Sequence, residues 1–145
     1  MAQLFYKNLA YKPSSEDWFS KLVSLENPVW LDSSNSERGR YDIMSASPSE
    51  WMALYHDPLA STKQLQRQCV DFLRRLRTAN TRHQLATTID GLPFTGGIVG
   101  QLGYDFGRQL MGVASNKATS TSIAEAGVYD WAVIQDHLLK RCIFV

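Results

Sequence analysis

The stretch Leu92-Pro93-Phe94-Thr95-Gly96-Gly97-Ile98-Val99-Gly100-Gln101-Leu102-Gly103-Tyr104-Asp105-Phe106-Gly107-Arg108 holds five of the chain's nine glycines. A glycine-rich run invites a phosphate loop. Here Gly97, Gly100 and Gly103 recur every third residue, without G-x-G-x-x-G spacing, and no G-K-[ST] follows to supply a lysine and a metal-bound hydroxyl. The residues between them (Ile98, Val99, Leu102) are apolar, as in a buried strand. The expectation is a central strand whose glycines are positions of close backbone approach, where a side chain would push a neighbouring sheet away. Phe106 to Met111 then fits a helical turn, and the stretch is expected to touch no ligand.

Upstream, the pattern is helical. Ser61-x-x-Gln64 is a capping box, and Leu65, Cys69, Phe72, Leu73 and Leu76 follow as an apolar stripe at helical spacing. Lys63, Arg67, Arg74, Arg75 and Arg77 decorate this helix against Asp71 alone. A stand-alone module that binds nucleic acid or an acidic partner through the basic helix 61–80 is one reading. A solvated face whose arginines suit the C-terminal end of the helix dipole is the plainer one. Residues 84–89 fit a strand, and Ser115 to Ser122 reads as a low-complexity surface loop.

Nearer the N-terminus, Leu4 to Tyr11 alternates as a strand. Ser14-x-x-Asp17 offers a cap for a short helix carrying Trp18, Phe19, Leu22 and Leu25, which Asn27-Pro28 stops. Val29-Trp30-Leu31 and Arg40 to Ala46 make a β-hairpin with a polar tip. Trp51, Met52, Leu54 and Tyr55 fit a short helix or an irregular connection. Downstream, Gly127 to Ile134 reads as strand, Gln135 to Lys140 turns, and Arg141 to Val145 returns. Strands and helices that do not strictly alternate predict an α+β class with a mainly antiparallel sheet and flanking helices.

The totals exclude several classes. A length of 145 residues suits one domain, 1–145, and the net charge of +1 makes no case for nucleic acid or a membrane surface. No apolar run is long enough to span a bilayer. Cys69 and Cys142 lie far apart and read as reduced, core-filling thiols of a cytosolic (cytoplasmic) protein. His56, His83 and His137 have no second ligand at metal spacing, so each reads as a surface or core histidine, and no metal site is expected. No catalytic constellation is visible. Asp32, Ser33, Arg40, Tyr41 and Asp42 do bring acids, a hydroxyl, a guanidinium and an aromatic face into one hairpin. Those are the parts needed to hold a zwitterion, and equally the parts of an ordinary polar turn. The chain ends on the apolar run Arg141-Cys142-Ile143-Phe144-Val145, so it is expected to be a fragment that continues downstream.

The stretch Leu92–Arg108, the segment Ala126-Gly-Val-Tyr-Asp-Trp-Ala-Val-Ile-Gln-Asp-His137, and Trp30-Leu-Asp-Ser33 followed by Gly39-Arg-Tyr-Asp-Ile43 together resemble the aminodeoxychorismate synthase component I family. That family is also called para-aminobenzoate synthase component I and is similar to anthranilate synthase component I. The resemblance implies an N-terminal domain of the orthogonal-sheet fold, without the C-terminal domain that carries the chorismate-binding, acid/base and magnesium-binding residues. It implies no catalytic residue in this part, and a glutamine amidotransferase subunit as partner of the whole protein. The implied product, 4-amino-4-deoxychorismate, feeds para-aminobenzoate and folate synthesis; anthranilate synthesis is the alternative. The family also binds tryptophan at a strand ending in L-L-E-S or a variant, followed by an x-S-R-F-D-like segment. Carried over residue by residue, the tryptophan-type pocket falls on Asp32, Ser33, Arg38, Gly39, Arg40 and Tyr41, with Asp32 where the family has Glu or His.

Overall fold

The computed structural model describes residues 5–34, 39–83, 89, 91–113 and 121–145. Its elements, in order, are β1 (Lys7–Leu9), α1 (Glu16–Phe19), β2 (Val29–Leu31), β3 (Tyr41–Ser45), β4 (Glu50–Tyr55), α2 (Thr62–Arg82), β5 (Gly97–Leu102), α3 (Tyr104–Leu110), β6 (Ser122–Tyr129), β7 (Val133–Asp136) and β8 (Arg141–Phe144). The class is α+β, with a five-stranded sheet ordered β1-β8-β7-β3-β2 and a three-stranded sheet ordered β4-β6-β5. Residues 1–49, 84–97 and 129–145 cluster into one compact unit, and residues 50–83 and 98–128 into a second.

The first unit is built on the five-stranded sheet. Its hairpin pairs Trp30 with Met44, and β3 pairs onward with β7, setting Asp42 opposite Gln135 and Tyr41 opposite Asp136. Strand alternation then sorts side chains by face. Met44, Val133 and Cys142 pack on one face with Leu9, Tyr11, Trp18, Phe19, Leu22 and Trp30. Ile134, Ala132 and Val145 pack on the other with Tyr41, Ile43, Ile89, Leu92 and Phe94. α1 (Glu16–Phe19) is a single short helical turn. Ser14 Oγ accepts the Glu16 N–H, but the N-cap residue Ser15 makes no side-chain cap because its hydroxyl is committed elsewhere.

The second unit places α2 against the three-stranded sheet. Ser61 closes the predicted capping box with Gln64, and Leu65, Cys69, Phe72 and Ala79 form the buried stripe. These meet Met52, Phe106, Ile123, Ala124, Ala126 and Val128 in one cluster. Both cysteines are free and buried, and burial pushes the Cys142 thiol up to about 11.

Several expectations are corrected: residues 127–134, expected as one strand, divide between β6 and β7 of different sheets, and β7 runs on through Asp136. Residues 51–55 form a strand, not a helix. The spacing of Trp51, Met52, Leu54 and Tyr55 also fits a strand that buries Met52, and pairing with β6 some seventy residues later decides it. The glycine-rich strand β5 is an edge of its sheet, not a central strand. Close approach nevertheless holds at Gly100, where a Cβ would collide with the Glu125 carbonyl and lie 2.6 Å from Ala126 Cα and Cβ. The obstacle is the neighbouring strand's backbone rather than another sheet. Residues 84–88 and most of 115–122 lie outside the described residues.

Candidate functional site

A cavity of about 390 Å³ opens in the first unit beside the β2–β3 hairpin. Pro13, Ser14 and Ser15 form one wall; Trp30, Asp32, Ser34, Asp42 and His137 form the rest. Its volume lies in the range of small-molecule sites.

Asp42 is the hub. It is 4% exposed, and its carboxylate accepts the Ser15 hydroxyl (2.5 Å), the Ser33 N–H (2.8 Å) and the Ser33 hydroxyl (2.8 Å). His137 Nε2 lies 3.0 Å from Asp42 Oδ2, near enough for an ion pair but off the line of a hydrogen bond. The other ring nitrogen of His137 meets the Tyr11 hydroxyl at 3.1 Å. Ser15 also accepts from Gln135 Nε2 (2.7 Å). Burial alone would push the Asp42 carboxyl up. The donors from Ser15, the Ser33 backbone and the Ser33 hydroxyl, with the His137 ring alongside, together outweigh burial and hold it below the ordinary carboxylate value. Among the lining residues, Trp30 Nε1 is a buried donor with no hydrogen-bond partner. Asp32 Oδ1 accepts the Ser34 N–H at 2.7 Å, fixing Ser34 in a left-handed conformation (φ 59°) on the cavity wall.

Asp32 lines this cavity, whereas Ser33 spends its donors on Asp42. A Cβ on Gly39 would strike the Ser33 carbonyl and lie 2.7 Å from Ser33 Cβ, so glycine there lets the hairpin close. Arg38 lies outside the described residues. Arg40 and Tyr41 are carried to the opposite face of the sheet. Arg40 Nε and Nη2 donate to Asp136 (3.1 and 3.0 Å), its guanidinium lies 4.6 Å from the Tyr41 ring centroid, and the Tyr41 hydroxyl donates to the Gly91 carbonyl. Adjacency in sequence suggested one zwitterion site; strand alternation turns Tyr41 away from Asp42, and the bonds to Asp136 draw the Arg40 guanidinium to the Tyr41 side. Sequence reasoning left out Ser15, Trp30 and His137, and counted Asp42 among the zwitterion-holding parts but not in the tryptophan-type pocket. The period-two pattern from Arg40 to Asp42 carried that signal for Asp42, but the partners at 15 and 137 are too far along the chain to be read locally.

The described residues hold no group of three His, Cys, Asp or Glu arranged for a metal ion. None of their helices is long and apolar enough to cross a membrane.

No family model matches the chain. Sequence comparison finds aminodeoxychorismate synthase component 1 of Escherichia coli, 30% identical over 132 residues that cover 86% of this chain and 29% of that protein. The proteins of the same name from Klebsiella aerogenes and Salmonella typhimurium are 29% and 26% identical over 142 and 144 residues. This chain is similar to aminodeoxychorismate synthase component 1 along most of its length. It spans 29 to 31% of the length of these relatives.

Proposed function

We propose that this chain is the N-terminal part of a chorismate-aminating enzyme component. With a glutamine amidotransferase subunit, the whole protein converts chorismate to 4-amino-4-deoxychorismate for para-aminobenzoate and folate synthesis. The observation that carries this reading is the similarity to three proteins of that name, over 86 to 90% of this chain. This part contributes no catalytic residue; magnesium and the chemistry belong to the rest of the protein, which works in the cytoplasm. The test is an amination assay on the full-length gene product with its amidotransferase. Accumulation of 4-amino-4-deoxychorismate is expected, and accumulation of anthranilate would overturn the assignment.

The cavity beside the hairpin is proposed as the tryptophan-type pocket. Three features support it: a volume that suits an indole amino acid, the buried unpartnered donor Trp30 Nε1, and the acceptors Asp32 and Ser34 among the lining residues. Asp42 and Ser33 would act as the brace behind the wall, and Arg40 and Tyr41 would stand outside it. Calorimetric titration of the full-length protein with L-tryptophan tests this, with Asp32→Ala expected to weaken binding. Undiminished binding in that variant would remove Asp32 from the pocket.

A further inference from the structure

On the sheet face opposite this cavity, Asp136 is 1% exposed and gathers two arginines. Arg40 grips it side-on through Nε and Nη2, and Arg141 Nε donates to Oδ2 at 3.2 Å. The Leu139 N–H fills the remaining position on Oδ1 (3.1 Å). The carboxylate is thereby saturated, but the arginines are not. A guanidinium has five N–H donors in a rigid fork. Arg40 keeps Nη1, and Arg141 keeps both Nη groups, without a hydrogen bond to the described residues. The two side chains are 39% and 40% exposed, so those ends reach solvent. Two guanidinium charges against one carboxylate leave a single positive charge in excess.

We propose that Arg40 and Arg141, oriented by Asp136, form a binding site for a small oxyanion, a carboxylate or a phosphate group. Arg40 Nη2 and Arg141 Nε meet at the same carboxylate oxygen, Asp136 Oδ2, so the two guanidiniums are held as neighbours with their outer N–H groups uncommitted, and the Tyr41 ring removes further freedom from Arg40. Ordering these long side chains is part of the cost of any anion complex, and here the fold has already met it. The site is separate from the proposed tryptophan-type pocket and does not depend on that reading.

The test follows the arginine Nε–H signals of the full chain by NMR. Sodium phosphate, and separately sodium benzoate, is titrated against sodium chloride at matched ionic strength. Saturable shifts are expected at Arg40 and Arg141, with millimolar affinity weakened about tenfold by Arg141→Gln. Response to phosphate alone or to benzoate alone identifies which oxyanion the site takes. Arg74 is the internal control, because its pair with Asp71 is exposed on both sides. Equal shifts at Arg74, or none that saturate at Arg40 and Arg141, would overturn the site. Asp136→Asn adds net positive charge but loses the grip on both guanidiniums, so weaker binding is expected; tighter binding would refute the orienting role.

Discussion

Asp42 and Asp136 sit on adjacent strands of one sheet, both almost fully buried, yet face opposite ways with opposite kinds of partner. Asp42 is held by two serine hydroxyls and a backbone N–H, with His137 alongside. Asp136 is held by two half-exposed arginines and a backbone N–H. In each case burial opposes ionisation and the assembled donors overcome it, so both carboxyls lie below their ordinary value. The difference is what remains when the carboxylate is removed. Around Asp42 the Ser15 hydroxyl is buried and the Ser33 donors are half-buried, so water replaces the carboxylate poorly. Around Asp136 the guanidiniums can hydrate. A buried charge satisfied by neutral groups is therefore a structural commitment, whereas one satisfied by exposed cations leaves those cations available.

The largest expected effect tests the first half of that contrast. Asp42→Ala strands the Ser33 N–H and both hydroxyls, and should cost about 3 kcal/mol in urea unfolding. Asp136→Asn should cost about 1–2 kcal/mol, because its arginines rehydrate; equal costs would erase the distinction. Salt should separate the two further. Going from about 0.1 M to about 1 M NaCl shortens the Debye length from about 10 to about 3 Å. That should reduce the cost of Asp136→Asn and leave the cost of Asp42→Ala unchanged. Acid should act on both. A carboxyl depressed on folding contributes stability that is complete above its unfolded value, about 4, and is lost as pH falls through the folded value. Thermal melts should thus be flat from about pH 7 to 5 and decline below about pH 4, with a shallower decline in either variant. The smallest effect is expected at the exposed Asp71–Arg74 pair, where Asp71→Ala should change stability by less than about 0.5 kcal/mol.

Local signals made much of the fold legible. The capping box at Ser61 and the stripe from Leu65 to Phe72 gave the long helix, and Val29–Leu31 with Arg40–Ala46 gave the hairpin. Residues 51–55 fit either period because all five side chains are apolar or aromatic, and only the distant strand 122–129 breaks the tie. The candidate site was half legible. Asp32, read from the strand end, lines the cavity, but Asp42 is also organised by groups from positions 15 and 137, and Arg40 is drawn away by Asp136, ninety-six residues on. Such pairings are set by sheet register, which no short window of sequence contains.

Gly100 shows how such a register is kept. Within β5 its missing side chain faces the backbone at Glu125 and Ala126, where a Cβ has no room. Sliding β5 by one residue would bring Val99 or Gln101 to that place, and either would be blocked. The same slip would turn every side chain of the strand to the other face. The glycine works as an index notch: an edge strand with little buried surface of its own is held against a one-residue slip because neither neighbour of Gly100 can pass that point.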